Sequence, residues 1–469
     1  MDFKIIQVCK FLIILFSIPF FSCSNNSSEI QQNIRLRNIS SQLIGQQSTI
    51  LIKPVQIIVE DPQGNTIPNI ELEVSEITGG GIIISTSKKS DQNGVFSIEW
   101  KLGLDIFQNI TVISKEFPDV KTQIKAQTTY KYKLPLKQKD GWEVDNILEM
   151  NEINSTMIFE GIDKIRLKTY KEIHSFILVK GNKLILDEYF DGHDSNGNYI
   201  NYDINTPHEQ QSASKSFRSI LTGIAIEEGF INNTESQLFS FFPNQSYLAK
   251  TGKENITIDH ILTMSSGLSW NEWIAPPNDL SIMYSKSFKN WHIYVLERPL
   301  AFTPGTRFVY NTGASIMLNR IIENASSMTI AEFTKKYFMD KTESTLLPNN
   351  ENLQAKKLPR DMAKLGAIYL NKGKWKKTKI VSEEWIQKSF ELRYNVPEVG
   401  ASYGYQWWNR DLRGSKGKTY NCYYASGNGG QFIMIIKELD LVAVFTGGNF
   451  GGGGHAYEIM QKHVLPAFN

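Results

Sequence analysis

The chain has 469 residues, too many for one compact domain, so its length predicts two or three domains. Hydrophobic residues make up 41% and charged residues 21%, which excludes an intrinsically disordered protein. Fifty Lys and Arg against 48 Asp and Glu leave a net charge of +2 without a long basic run, which argues against a nucleic-acid-binding protein. The longest apolar stretch lies at the extreme N-terminus and is too short to span a bilayer after processing, so a polytopic membrane protein is excluded.

Residues 1–22 have the pattern of a secretory signal. Two lysines precede an apolar run over residues 11–21, and a small residue stands before Cys23. This arrangement resembles a bacterial lipoprotein signal, in which the Cys is acylated and becomes the mature N-terminus; the alternative is an ordinary cleaved signal. Residues 23–33 are rich in Asn, Ser and Gln and are expected to form a flexible tether. We therefore expect an exported protein, lipid-anchored to a bacterial membrane on its periplasmic or cell-surface side.

The three Cys and seven His residues form no metal-site pattern. One Cys lies within the signal, Cys23 is the expected lipidation site, and Cys422 then has no intramolecular partner. No HExxH motif is present, and no two His residues have the spacing of two ligands on one helix face. We expect no disulfide, no metal and no cofactor.

Residues 34–128 alternate apolar and polar side chains with a period of two. Candidate strands run through 55–59, 70–74 and 96–102, and turns rich in Gly, Asn and Asp separate them. Short strands at regular spacing without a helical run predict an all-β sandwich. Residues 90–103 resemble the bacterial immunoglobulin-like modules of surface proteins. Such modules usually act as spacers, so we expect a spacer, with glycan or protein binding as the alternative.

After a linker at residues 129–137, the pattern changes over residues 138–469. Helical periodicity appears at 217–224 and again at 362–369. Strand-like runs lie near both ends of this region, at 175–179, 183–189, 431–437 and 439–446. Strands at both ends with helices between them predict a mixed sheet closed by the terminal segments, with an inserted helical region.

Ser212 and Lys215 open the first of these helical runs. Three residues apart, they lie on one face of a helix. A partly desolvated lysine can take the proton of a serine hydroxyl, and a helix N-terminus favours negative charge on the serine oxygen. Ser85 and Ser415 are also followed by a lysine at this spacing, so the spacing alone leaves open a serine N-cap beside an exposed lysine.

Two later segments add candidate chemistry. Residues 304–313 form a turn, an extended piece and the start of an apolar helical run. Tyr310 at this junction can present its phenol to a cleft, where a nearby lysine can lower its pKa; a half-buried structural Tyr is the alternative. Residues 424–432 form a Gly-rich turn before a strand. Glycines there let a substrate approach the backbone, and the strand edge can offer an N–H to an oxyanion, although alone this is a simple turn.

Together, and in this order, the three segments resemble the motifs of the penicilloyl-serine hydrolases. That family comprises serine β-lactamases, D-Ala-D-Ala carboxypeptidases, and esterases and amidases related to the class C β-lactamases, including 6-aminohexanoate-dimer hydrolase. Further segments that look like its signatures are residues 206–208, 223–226, 262–268, 360–364 and 403–408. The resemblance covers about residues 134–469. It implies a β-lactamase-like α/β domain, with an antiparallel sheet flanked by helices and a helical subdomain.

The resemblance also implies residue roles. Ser212 would be the acylated nucleophile, Lys215 would assist its deprotonation, and Tyr310 would act as general base and acid towards the leaving group. The backbone N–H of Ser212 and one at or near Gln431 would form the oxyanion hole.

Two of the expected substrate-binding positions depart from the family motifs. Thr312 stands where many relatives have Asn. Asn428-Gly429-Gly430 replaces the Lys-Thr-Gly of β-lactamases and carboxypeptidases, and many esterase-like relatives carry His there. A neutral Asn428 removes a cation that would hold a substrate carboxylate.

We therefore expect hydrolysis of a small-molecule ester or amide, or of a peptide, through an acyl-serine intermediate. No nucleic-acid partner is expected, and the membrane is expected to be contacted through the lipid anchor only. The alternatives are a catalytically weak surface binding module and a slow hydrolase of D-amino-acid peptides or β-lactams.

Overall fold

The computed structural model describes residues 34–345 and 356–468. They form two compact units, one ending at Thr129 and the other beginning at Tyr130. The expected signal, tether and lipidation site at Cys23 lie outside the described residues. Within the described ranges, no helix is both long and apolar enough to cross a membrane.

The first unit consists of two four-stranded sheets. Its strands are β1 (Arg35–Asn38), β2 (Ile44–Gln46), β3 (Val55–Glu60), β4 (Leu72–Thr78), β5 (Ile82–Thr86), β6 (Val95–Lys101), β7 (Phe107–Ser114) and β8 (Lys121–Thr129). The sheet orders are β1-β3-β6-β5 and β2-β8-β7-β4, and neighbours are antiparallel except for the parallel pair β2 and β8.

Alternate residues of these strands build one apolar core. Val55, Ile57 and Val59 on β3 are fully buried, and both sheets contribute to the same cluster. The predicted all-β character of this region is confirmed, whereas its assignment to the immunoglobulin-like modules stays a prediction.

The second unit is built on a nine-stranded sheet. The strands of the unit are β9 (Glu143–Val144), β10 (Ile173–Lys180), β11 (Lys183–Tyr189), β12 (Gly192–His193), β13 (Tyr199–Ile200), β14 (His208–Glu209), β15 (Lys356–Lys357), β16 (Lys374–Trp375), β17 (Thr378–Lys379), β18 (Tyr394–Val396), β19 (Ala401–Tyr403), β20 (Trp408–Arg413), β21 (Thr419–Gly427), β22 (Gln431–Ile436) and β23 (Leu441–Gly447). The order is β18-β19-β20-β21-β22-β23-β10-β11-β9, and strands β12 to β17 form three separate two-stranded ribbons. The sheet is antiparallel except where β9 meets β11.

Strand β10, near the start of this unit, pairs with β23 near its end, as predicted from the two groups of strand-like runs. Residues of β10, β22 and β23 are buried on both faces of the sheet. This double burial explains why residues 432–436 are continuously apolar rather than alternating.

Helices cover both faces of the sheet. They are α1 (Ser155–Arg166), α2 (Ser214–Glu227), α3 (Ile258–Leu262), α4 (Asp279–Tyr284), α5 (Trp291–Glu297), α6 (Thr312–Ser326), α7 (Ile330–Thr334), α8 (Asp340–Thr342), α9 (Pro359–Leu370), α10 (Glu383–Phe390) and α11 (Ala456–Ile459). Helices α1 and α11 share a core with one sheet face, and α2 and α9 with the other. Helices α3 to α7 join the core of α2 and α9, which confirms the expected antiparallel sheet with flanking helices and an inserted helical region.

Candidate active site

Ser212 lines a cleft of about 1220 Å³ in the second unit. It lies in a 3₁₀ turn, Gln211–Ala213, immediately before helix α2. Helix α2 has no side-chain cap, so the alternative in which Ser212 serves as a capping residue does not describe this structure. Gln211 has a φ of +50°, a conformation that is costly for a residue with a side chain. The strained residue therefore lies immediately before Ser212, in the turn that holds it.

Lys215 is the buried partner of Ser212. Its side chain is only 2% exposed, and its Nζ donates a hydrogen bond to Ser212 Oγ at 2.9 Å. Burial lowers the pKa of Lys215 to about 7, although the carboxylate of Glu272 acts in the opposite direction. Near neutral pH a large fraction of Lys215 is therefore uncharged and able to accept the proton of Ser212.

Tyr310 completes a triangle with these two side chains. Lys215 Nζ lies 4.6 Å from the centroid of the Tyr310 ring, and the Ser212 hydroxyl lies close enough to Tyr310 to act on the pKa of the phenol. The ring stacks on Trp408 with centroids 5.9 Å apart. Burial raises the pKa of Tyr310 well above its usual value, so the lowered pKa expected from a nearby lysine is wrong. The phenol is protonated at neutral pH and is suited to donate a proton.

Glu272 is a cleft residue that the sequence analysis did not identify. The backbone N–H of Thr312 donates to its Oε2 at 2.9 Å, and the Thr312 hydroxyl donates to its Oε1 at 2.7 Å. Trp270 Nε1 donates to Oε2 at 2.7 Å. Thr312 thus lines the cleft as predicted, but its hydroxyl is bound to a carboxylate of the same chain. No local signal marks Glu272, because only the packing of its loop brings it near Lys215.

The Gly-rich turn between β21 and β22 packs directly on the segment that carries Ser212. A Cβ at Gly427 would lie 2.3 Å from the carbonyl oxygen of Gln210, so only glycine permits this contact. Gly429 and Gly430 have φ angles of +91° and +96°, which favour glycine. The turn therefore forms a cleft wall of bare backbone close to Ser212.

Asn428 and Gln431, at either end of this turn, have different surroundings. Asn428 is exposed in the cleft and its Oδ1 accepts a hydrogen bond from Gly451 N at 2.9 Å. Gln431 is fully buried and its Nε2 donates to the Gly447 carbonyl at 2.6 Å. The Gln431 side chain joins β22 to β23 and does not line the cleft, so only its backbone N–H remains a candidate for the oxyanion hole. The glycine run 451–454 forms part of the cleft wall.

The cleft gathers nearly all of the predicted site residues. Those that line it are Ser212, Lys215, Tyr310, Thr312, Asn428, Gly429 and Gly430. Ser85 and Ser415 lie outside it, on strand β5 and in a loop before β21. Cys422 is fully buried in the core, where burial raises the pKa of its thiol.

Comparisons with known proteins agree with the fold of the second unit. The Beta-lactamase family model matches residues 174–458, more than half of the chain. A penicillin-binding protein homologue of Caulobacter crescentus has a similar structure, with a TM-score of 0.54, 12% identity, and coverage of 67% of this chain and 97% of that one. A family VIII carboxylesterase has a TM-score of 0.53 and 14% identity, with coverage of 68% of this chain and 97% of that one. The simvastatin synthase LovD of Aspergillus terreus has a TM-score of 0.51 and 12% identity, with coverage of 68% of this chain and 98% of that one. The structural likenesses concern the fold, and the family match shows that this chain belongs to the Beta-lactamase family.

Proposed function

We propose that this protein is a serine hydrolase that cleaves ester or small amide bonds through an acyl-serine intermediate. The observation that carries the proposal is the 2.9 Å contact between Lys215 Nζ and Ser212 Oγ, together with a pKa of about 7 for Lys215. In its uncharged form Lys215 takes the proton of Ser212 while the serine oxygen attacks the substrate carbonyl.

The next steps follow from the position of Tyr310. Its protonated hydroxyl gives a proton to the leaving group, and the proton taken up by Lys215 restores the phenol. Water then attacks the acyl group by the reverse route and frees Ser212. The backbone N–H groups of Ser212 and Gln431 are the proposed donors to the oxyanion in both steps.

The proposed preference for esters and small amides rests on Asn428. This neutral, exposed side chain stands where the β-lactamase and carboxypeptidase motifs carry a lysine. A carboxylate next to the scissile bond would find no cation at this place, which disfavours β-lactams and peptides ending in D-amino acids.

The test is hydrolysis of p-nitrophenyl butyrate by the purified protein and two variants. Ser212→Ala should lower the rate by about a thousandfold or more, the scale expected for a lost nucleophile. Ser415→Ala is the matched control, because Ser415 has a lysine at the same spacing but does not line the cleft; it should keep the wild-type rate. Equal rates for wild type and Ser212→Ala would reject the proposal and favour the binding-module alternative.

We also propose that the protein is exported and anchored by a lipid on Cys23, with the N-terminal β-unit as a spacer. The support is the sequence pattern of residues 1–23. Incorporation of labelled palmitate by the wild type in a bacterial host, and its loss in Cys23→Ser, is the expected result; labelling of both proteins would contradict it.

A further inference from the structure

A buried arginine lines the same cleft as the proposed nucleophile. Arg218 follows Lys215 by three residues on helix α2, so both lie on one helix face. Arg218 is 5% exposed, yet it forms part of the cleft wall. Ser212, in the 3₁₀ turn, precedes Arg218 by six residues, so their backbone positions lie about 9–12 Å apart along the axis.

The guanidinium of Arg218 has no counter-ion among the residues that the structure describes. No carboxylate within residues 34–345 and 356–468 lies at ion-pair distance, and Nε has no hydrogen-bond partner among them. Within the described ranges its side chain makes one hydrogen bond, a long one of 3.4 Å from Nη1 to Ser315 Oγ. Burial lowers the pKa of Arg218 only to about 10, so the group is charged at neutral pH.

Arg360 shows how this chain otherwise treats a buried guanidinium. It is 2% exposed and contacts two carboxylates, those of Asp140 and Asp187. A buried charge without such compensation is strongly unfavourable. Arg218 therefore has the properties of a cation whose partner arrives from outside the chain.

Apolar and aromatic side chains line the cleft together with Arg218. Tyr284 on α4 interacts electrostatically with Arg218, and Leu280 lies one turn earlier on the same helix. Ile316 on α6 follows Ser315, the hydrogen-bond partner of Arg218. All three side chains line the cleft, so the walls suit methylene groups. We name these residues, with Arg218, the Arg218 pocket.

We propose that the Arg218 pocket binds the carboxylate of a substrate in which a linear aliphatic chain links this carboxylate to the scissile bond. The planar guanidinium matches a carboxylate in a two-point contact, and the apolar walls accommodate the chain. The substrate class is then a half-ester or half-amide of a dicarboxylic acid, or an acyl ester of an ω-hydroxy acid. Arg218 thus supplies the cation that is absent at Asn428, but at a different distance from Ser212. The part of this inference that concerns turnover rests on the proposed function. The part that concerns binding of a carboxylate does not.

Calorimetric titration with glutarate, adipate and suberate tests the pocket without any turnover. The wild type should bind at least one dicarboxylate more tightly than butyrate, and Arg218→Gln should weaken that binding tenfold or more. Arg218→Lys keeps the charge but loses the fork, so it should bind at an intermediate strength. Arg320→Gln is the matched control, because Arg320 lies on the same helix as Ile316 but pairs with Glu323 and does not line the cleft. If Arg218→Gln does not fold, the comparison of wild type with Arg218→Lys decides. Equal binding of dicarboxylates and butyrate by the wild type would overturn the proposal.

Kinetics separate the pocket from the proposed reaction. The substrates are p-nitrophenyl butyrate, mono-p-nitrophenyl adipate with the carboxylate on the acyl side, and the butyryl ester of 6-hydroxyhexanoate with it on the leaving-group side. The wild type should have a higher kcat/KM for one of the two anionic esters than for the neutral p-nitrophenyl butyrate. Arg218→Gln should reduce the ratio of these two kcat/KM values at least tenfold. If hydrolysis depends on Ser212 but Arg218→Gln leaves these ratios of kcat/KM unchanged, the pocket proposal is rejected and the hydrolase proposal stands. If Arg218→Gln loses dicarboxylate binding but the wild type hydrolyses none of the esters, the hydrolase proposal is rejected and the pocket proposal stands.

Discussion

At the scale of single residues, burial sets the chemistry of the cleft. Removing Lys215 and Tyr310 from water disfavours the charged form of each, so the pKa of the lysine falls to about 7 and that of the tyrosine rises. Both groups are therefore uncharged under the same conditions, one able to accept a proton and the other able to donate one. This complementary pair allows a single site to activate Ser212 and to protonate a leaving group.

This pairing predicts the pH dependence of the reaction. Only uncharged Lys215 can accept the serine proton, so kcat/KM for a neutral ester should rise with pH through a midpoint near 7. Lys215→Arg should abolish the activity, because a guanidinium does not lose its proton in this range. Stopped-flow or steady-state pH profiles would check this. A flat profile between about pH 5 and 9 would contradict the assigned role.

Glu272 should tune the same midpoint. Its carboxylate favours the charged form of Lys215, so Glu272→Gln should lower the pKa of the lysine further and move the acid limb of the profile to lower pH. The matched variant Glu235→Gln changes an exposed carboxylate that does not line the cleft, and its profile should overlay that of the wild type. A limb that moves to higher pH in Glu272→Gln would show that Glu272 acts in another way.

The sequence predicts those site residues that lie in local motifs, and misses those placed by packing. Ser212, Lys215 and Tyr310 are each marked by spacing or by a turn next to a helix. Glu272 reaches the site only through its loop, and its contact with Thr312 joins residues from separate elements. Arg218 carries a signal, since it is a cation that shares one face of an apolar helix with Lys215. That no described residue serves as its counter-ion appears only in three dimensions.

At the scale of elements, the hairpin of β21 and β22 positions the cleft wall against the 3₁₀ turn. Gly427 on β21 lies against the backbone of Gln210, and the hairpin register pairs Gly427 with Gln431. The two segments that provide the proposed oxyanion donors are therefore held by a direct backbone contact rather than by side chains.

Gly427→Ala should disrupt this contact. Its Cβ would overlap the Gln210 carbonyl oxygen, and we expect a loss of stability of about 1–3 kcal/mol together with a large loss of activity. Chemical denaturation and ester kinetics measure the two effects. For Gly453→Ala, where no atom lies within 4 Å of the added Cβ, stability should change by less than about 0.5 kcal/mol. Equal stability of the two variants would show that the contact at Gly427 relaxes easily.

The prediction of elements succeeded where one periodicity runs over several residues. The apolar runs that became β22 and β23 and the helical run that became α2 lie close to their predicted ranges. The two-residue ribbons, such as β14 with β15, were not predicted, because two residues carry no periodicity and their partners lie far apart in sequence.

At the scale of the whole molecule, each of the two units has an apolar core of its own. Residues 130–137, which the sequence assigns to a linker, include two side chains that contact the second unit. Tyr130 is 6% exposed and its hydroxyl donates to Glu188 Oε1 at 2.6 Å, and the Tyr132 hydroxyl donates to the Ile185 carbonyl at 3.2 Å.

A chain that begins at Tyr130 should therefore fold and keep the ester-hydrolysing activity of the full chain. A chain that begins at Gly141 should be markedly less stable, because it lacks Tyr130 and also Asp140, which binds Arg360 at 2.9 Å. Arg360 would keep Asp187 as its counter-ion but would lose this charged hydrogen bond, a loss of about 1.5–3 kcal/mol. Thermal unfolding and kcat/KM of both chains decide. Equal stability of the two would place the functional boundary after residue 140.

The pairing of β10 with β23 also governs how the second unit reaches its folded state. The two strands lie in the interior of the sheet but come from opposite ends of the unit, so their contacts close a very long loop. Contacts of such high sequence separation slow folding and delay the formation of the central sheet until almost the whole chain has been synthesised. Until then one edge of β10 has no partner strand. Premature termination before β23 would therefore remove the middle of the sheet rather than its edge, and would leave an aggregation-prone chain.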